Sequence, residues 1–440
     1  MDSREALEAR VEYHHAVEDD VLAAMRNPSR LFWVALFASA AVFAIGMYLW
    51  GRQMVEGMGV SGLNNPVGWG VYITDFVFWV GIAHSGTLIS AVLFLFRAKY
   101  RSAFNRSAEA MTVFAVMTAG LFPLIHLGRT WYFYWLLPYP NHRLLWVNFR
   151  SPLMWDVFAV STYFTISAVF FYVGLIPDLA IAKRYQTGFK KYLYSFLSLG
   201  WVGSFRQWKH YSKLYMFLAA FATPLVVSVH SVVSWDFAMS VLPGWHTTIF
   251  APYFVAGAIF SGTAMVITLV VPMRKIFNLH RHITNRHFES IAKVLLFTSL
   301  LVTYSYIVEF ALAIYSGNVY ESNAFIYRLV GDYKYFYWMM LLCNSLIPLT
   351  LFIRRFRRSI PFLYVLSIFV NIGMWLERFV IITTSLSQDF NPYSWGLYKP
   401  TLVEAGITLG SFGFFFMLFL IFTKVLPVVA VTELKEVADE

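Results

Sequence analysis

GVYITDFVFWVGIAHSGTLISAVLFLF, residues 70–96, decides the class of fold. It is longer than the roughly 20 residues that cross a ~30 Å hydrocarbon core. Apart from the phenol of Tyr72, its only ionisable side chains are Asp75 and His84. A charge at that depth costs several kcal/mol unless paired or solvated, so such residues mark a proton path, a substrate site or a buried ion pair. The pattern recurs along the chain: His126, Arg129, Asp156, His230, Asp236, Glu309, Glu377, Arg378 and Glu404 also fall within or at the ends of apolar segments, most of them in the same half of the bilayer.

Working outward, ten such segments are found, near 31–51, 69–97, 107–136, 151–182, 211–242, 248–273, 288–316, 334–353, 361–385 and 401–428. Composition agrees: 59% of the 440 residues are hydrophobic and 13% charged, with a mean hydropathy of +0.60, against about a quarter charged in soluble domains. The expectation is an all-α integral membrane protein with a segment 1–30 before the spans, a membrane domain over 31–428 and a tail at 429–440. The longest connection, 183–210, is too short for a soluble catalytic domain, so water-soluble chemistry belongs to partners.

The loops near 97–106, 183–213, 274–293 and 354–358 carry twenty Lys and Arg, and the alternate loops carry seven. The positive-inside rule then places the basic loops and both termini in the cytoplasm. The net charge of +10 is thereby assigned to anionic lipid headgroups and not to nucleic acid. The mixed-charge opening has no apolar core of the kind a cleavable signal peptide needs.

His126 lies in Gly120-Leu-Phe-Pro-Leu-Ile-His-Leu-Gly-Arg129, where Pro123 frees a backbone carbonyl. Asp156 follows Ser151-Pro152-Leu-Met-Trp155 at a helix start. A histidine near neutrality and a buried carboxylate are suitable bases for the two protons that leave a hydroquinone as it is oxidised. Arg129 would orient a quinone oxygen or, equally, snorkel to the headgroups. Glu377 and Arg378 read either as part of the site or as a structural ion pair, and Glu404 as an interfacial residue. The aromatic run Trp131-Tyr-Phe-Tyr-Trp135 suits either a flat headgroup or an interface belt.

One cysteine, Cys343, excludes a disulfide and a thiolate-ligated iron–sulfur cluster. Without Cys-x-x-Cys-His there is no covalent haem; a bis-histidine haem from His84, His126 and His230 is conceivable but lacks facing histidine pairs. His280, His282 and His287 read as a solvated basic loop, so no metal site is expected.

The Ser-Gly end of Gly70–Gly86 echoes that of Trp245–Gly262, and Val229–Asp236 aligns with Val370–Glu377. Four spans separate the copies. This spacing predicts two parallel-repeat four-helix bundles, about 69–242 and 248–385, with one flanking helix at each end.

Together, Gly70–Gly86, His126-Leu-Gly-Arg129, Phe149-Arg-Ser-Pro-Leu-Met-Trp-Asp156, Ser228-Val-His-Ser-Val-Val-Ser-Trp-Asp-Phe237 and Asn371-Ile-Gly-Met-Trp-Leu-Glu-Arg378 resemble the NrfD/polysulfide-reductase membrane-anchor family. They look most like the quinol-oxidising subunit of bacterial alternative complex III. That resemblance implies a multi-pass subunit of the bacterial inner membrane that binds menaquinol near the periplasmic face. Its partners would be a periplasmic iron–sulfur subunit, multihaem cytochrome c subunits, a paralogous membrane subunit and, where attached, a terminal oxidase. Iron–sulfur clusters and haem c would reside in those partners. Carried onto this chain, it gives His126 and Asp156 as catalytic bases and Asp236, Arg378 and Arg129 as quinol-binding residues. Asp75, His84, His230, Glu309 and Glu377 become candidates for proton movement. Three rival readings are a paralogous proton-conducting subunit, the anchor of a polysulfide or molybdenum reductase running electrons the other way, and a secondary transporter.

Overall fold

A computed structural model describes residues 3–23, 25, 28–138 and 149–439. Parts of the opening segment (1–2, 24 and 26–27) and the last residue of the tail lie outside the described residues. Among the described residues ten helices are long and apolar enough to cross a membrane: Arg30–Glu56, Val71–Leu95, Asn105–His126, Pro152–Tyr185, Phe205–Ala238, Phe250–Ile276, Asn285–Tyr315, Lys334–Phe352, Ile360–Ser387 and Leu402–Val425. They are numbered here as the first to tenth spans. No strand occurs among the described residues; with no water in hydrocarbon to satisfy backbone groups, helices meet that need internally.

Spans two to five pack as one group of four and spans six to nine as another, joined where the second span crosses the sixth. Both echoing Ser-Gly segments meet at that crossing. A Cβ on Gly262 would lie 2.3 Å from Ser85 Cβ and 2.6 Å from the Ile82 carbonyl, so only glycine permits this backbone approach. The second span is accordingly 83% buried. The flanking first and tenth spans pack on each other through Gly46 and Gly410, whose Cα atoms are too close for any side chain on either.

Several span ends differ from the expected ones. The third span ends at His126, ten residues early, because Pro123 loosens its last turn and Gly128 adopts a positive φ of 70°. The aromatic run therefore leaves the helix and forms a separate short turn, Thr130–Leu136, with Trp131, Phe133 and Trp135 exposed. The fifth span starts early, at Phe205, because Ser204 and Gln207 form a capping box. The connection at 317–333 contains a helix, Val319–Val330, that folds Arg328 back into the protein.

The ends that carry the Arg/Lys-rich loops are termed the basic face. The opposite end, with the 130–136 turn, is the aromatic face. On the basic face the opening helix Ser3–Ala23 packs against the closing helix Val431–Asp439. Glu18 accepts hydrogen bonds from Lys435 and from the Tyr185 hydroxyl, the latter at 2.8 Å.

Candidate functional site

The candidate residues fall into several clusters strung through the two bundles, and not into one cavity. At the aromatic face, Asp156, just past the first turn of the fourth span, and Asp236, in the last turn of the fifth, bear directly on each other. The Trp155 and Trp235 rings meet edge to face, 6.0 Å apart, one residue earlier on each helix. Pro152 at the helix start sets this register. His126 closes the neighbouring third span at the same level. Asp156 Oδ1, Asp236 Oδ1 and His126 Nδ1 are all buried without a hydrogen-bond partner. Arg129, three residues beyond His126, is exposed.

Deeper in the same bundle, His84 and His230 are fully buried with ring centroids 4.6 Å apart. Ring against ring at that distance leaves no room for a porphyrin plane between them. His84 Nδ1 lies 2.6 Å from the Val80 carbonyl, which fixes a proton on Nδ1. Its Nε2 and both nitrogens of His230 have no partner. Tyr163 stacks on His84 and donates to the Ala83 carbonyl at 3.0 Å.

Phe254 links this pair to the second bundle, its ring 5.9 Å from that of His230 and 4.6 Å below the Arg378 guanidinium. Arg378 is paired with its neighbour Glu377, which also accepts from Tyr306; Asn344 donates to the Tyr306 hydroxyl at 2.9 Å. The structure thus groups Arg378 with Glu377 and not with Asp156. Asn344 is presented by a widened π turn, Leu342–Leu346, of the kind found at functional positions. Glu309 lies one turn beyond Tyr306 and shares with Arg328 and three tyrosines a gap of about 10 Å³, near the minimum for one water.

Asp75 is elsewhere again. Fully buried on the second span, it accepts from Trp375 Nε1 at 2.7 Å and Thr408 Oγ1 at 2.6 Å. Glu404 is a capping residue, accepting from the backbone N–H of Gly62 and Thr401, each at 2.9 Å, and from the Tyr398 hydroxyl at 2.7 Å.

One buried cluster escapes the sequence reading. At the basic face Arg106 donates to Glu109 at 2.6 Å, to Asp178 at 2.8 Å and to the Gly174 carbonyl at 2.7 Å. Tyr215 donates to Glu109 at 2.9 Å, and Thr432 to Asp178 through both backbone N–H and hydroxyl at 3.2 Å. A cavity of about 800 Å³, lined by Arg101, Lys213 and Glu433, reaches Tyr215 from that face. Buried ionisable groups therefore occupy both halves of the membrane domain. The Arg106/Glu109 spacing of three, which puts both on one helix face, is the signal that could have found the cluster.

Among the described residues no group of three or more His, Cys, Asp or Glu is placed to hold a metal ion.

The sequence profile of the polysulphide reductase, NrfD family matches residues 59–388. The chain belongs to the NrfD family. Among its relatives is a protein provisionally named as the membrane subunit of a dimethyl sulfoxide reductase, from Halobacterium salinarum, 27% identical over 86% of this chain and 87% of the relative. A selenate reductase subunit of Mesobacillus selenatarsenatis is 22% identical over 91% of this chain and 94% of its own length. The Hdr-like menaquinol oxidoreductase integral membrane subunit of Archaeoglobus fulgidus is 25% identical over 36% of this chain and 37% of its own. None of the three carries an alternative complex III name; membrane subunits of oxidoreductase complexes are what this NrfD chain is similar to.

Proposed function

We propose that this NrfD protein is the quinol-linked membrane anchor of a multi-subunit reductase, with an iron–sulfur partner at the aromatic face and a catalytic subunit beyond it. The reductase names of the full-length relatives favour this over an alternative complex III subunit feeding multihaem cytochromes; a reductase consumes electrons, so its anchor oxidises quinol, and the reversed electron flow expected for a reductase anchor does not apply. The menaquinol oxidoreductase relative supports menaquinol as the electron donor. In this reading the protein belongs to the cytoplasmic membrane, where the positive-inside rule turns the basic face toward the cytoplasm.

The observation that carries the reading is the unsatisfied polar set at the aromatic face. Buried polar atoms normally have partners, yet Asp156, Asp236 and His126 each leave one open. A hydroquinone entering between the third, fourth and fifth spans supplies two hydroxyls to such acceptors. On oxidation its two protons pass to His126 Nδ1 and to Asp156 Oδ1, and its two electrons leave to the partner. Asp236, facing Asp156, shares the proton taken up there. Trp155 and Trp235 offer flat walls to the ring.

Purification of the native complex, identification of co-purifying subunits and assay of menaquinol-analogue oxidation test the proposal. An iron–sulfur and a reductase subunit with quinol-dependent activity are expected. A lone polypeptide without bound quinone would overturn it and favour a transporter, and multihaem cytochromes as partners would return the chain to alternative complex III.

A further inference from the structure

A cavity of about 460 Å³ opens in the outer wall of the second bundle, where the tenth span meets the ninth and sixth. None of the helices that line it carries His126, Asp156 or Asp236. On the ninth span it runs from Tyr364 to Trp375, about 16 Å at 1.5 Å per residue, and Ile368 and Ile372 at its rim are exposed toward lipid. Its walls are mostly aromatic and aliphatic, with Phe412 and Phe416 on the tenth span.

An acyl chain alone would fill such a groove, but three features do not fit that occupant. Asn371, in the middle of the groove, donates Nδ2 to Thr268 Oγ1 at 3.3 Å and leaves its buried Oδ1 without a partner. Whichever way the amide is turned, one end bonds Thr268 and the other is left over. Trp375 and Thr408, both in the lining, are fixed by hydrogen bonds to the fully buried Asp75 directly behind them. An ionisable group in hydrocarbon is costly, and a site that only holds lipid tails gains nothing from it. Finally, Trp375 is stacked on Phe379, 5.5 Å apart and 13° from parallel, which holds its indole as a rigid wall.

We infer that this groove is a second binding site for a quinol, its ring held between Trp375 and the phenylalanines of the tenth span, one hydroxyl on Asn371 and its isoprenoid tail along the groove. A quinol hydroxyl both donates and accepts, so it meets either orientation of the amide. Asp75 is a positioning residue here, acting through Trp375 and Thr408. The site binds and hands over no electrons. It rests on the proposal that the protein uses quinol at all.

The test is photolabelling of the detergent-purified or nanodisc-embedded complex with an arylazido menaquinol analogue, followed by peptide mapping. Label is expected on both the 126–156 region and the 364–375 or 408–416 segments. Asn371→Leu should lower labelling of the second region roughly five- to tenfold, the worth of one hydrogen bond in an apolar site, with the first region unchanged. Ile372→Trp, at the lipid-facing rim, fills the groove without touching the buried network, and should do the same if Asn371→Leu fails to assemble. Label confined to 126–156 overturns the inference and leaves the proposed function standing. Label nowhere removes both. Label at 364–375 that phosphatidylglycerol displaces and unlabelled quinol does not would make the occupant a lipid headgroup hydroxyl and overturn the quinol assignment.

Discussion

The cluster around Arg106 and the cluster around Asp156 are both buried, both ionic, and finished to different degrees. At the basic face Arg106 has two carboxylate partners and a carbonyl, and those carboxylates are met in turn by Tyr215 and Thr432. At the aromatic face two carboxyls face each other with an unpaired oxygen apiece, and at the same level the third span ends on a histidine with an unpaired nitrogen. Of Arg106 and its two carboxylates only Arg106 Nε is left over; a nearly completed network ties helices together, and one with open acceptors has binding capacity in reserve. The contrast separates structural charge from chemical charge where burial alone does not, since Arg106 and Asp156 are each at most 6% exposed.

The contrast is broken most directly at its open end. His126→Ala or Asp156→Asn should lower quinol oxidation by about 10²–10⁴-fold, the usual contribution of a general base, while the complex still purifies with its partners. Loss of assembly would move these residues to the structural side. At the closed end, Arg106→Ala strands two buried carboxylates, and removing one partner of a buried ion pair costs about 3–5 kcal/mol. A large drop in thermal stability in detergent is expected there, and a small one for Asp156→Asn; equal drops would erase the distinction. Gly262→Val, at the crossing of the two bundles, should cost about 1–3 kcal/mol by overpacking, read as a lowered melting midpoint.

The smallest effect concerns pH and lies outside the membrane. Burial raises the Glu18 carboxyl, but its hydrogen bonds from Lys435 and Tyr185 outweigh this and hold it below its ordinary 4.5. A carboxyl lowered in the folded state contributes stability that is complete above pH 4.5 and is lost as pH falls through the lower folded value. Limited proteolysis should therefore release the Ser3–Ala23 helix more readily in acid. Lys435→Ala should remove most of that pH dependence while cleavage elsewhere stays constant.

Ten spans were legible because each is a long apolar window, and hydropathy summed over 20 residues overrides local detail. Asp156, Asp236 and His126 were legible as isolated charges at a shared depth. What the chain does with each charge was not, because the answer depends on partners far away in sequence: Arg106 needs Asp178, Asp75 needs Thr408, and Arg378 is committed to Glu377. Arg106 and Arg328 also sit at or beyond span ends, where a basic residue reads as loop. The aromatic run at 131–135 looked like more third span, because hydropathy does not register the break that Pro123 and Gly128 impose.

The first span is only 6% buried, and its intimate neighbour is the tenth, glycine against glycine at Gly46 and Gly410. Ribosomes make the first span some 350 residues before the tenth, so during synthesis the first must wait in the bilayer for its mate. Closure of the fold thus waits on a late-made helix: a chain cut short before Leu402 presents an unmatched glycine-bearing helix to the lipid, a mark by which membrane proteases can distinguish truncated copies.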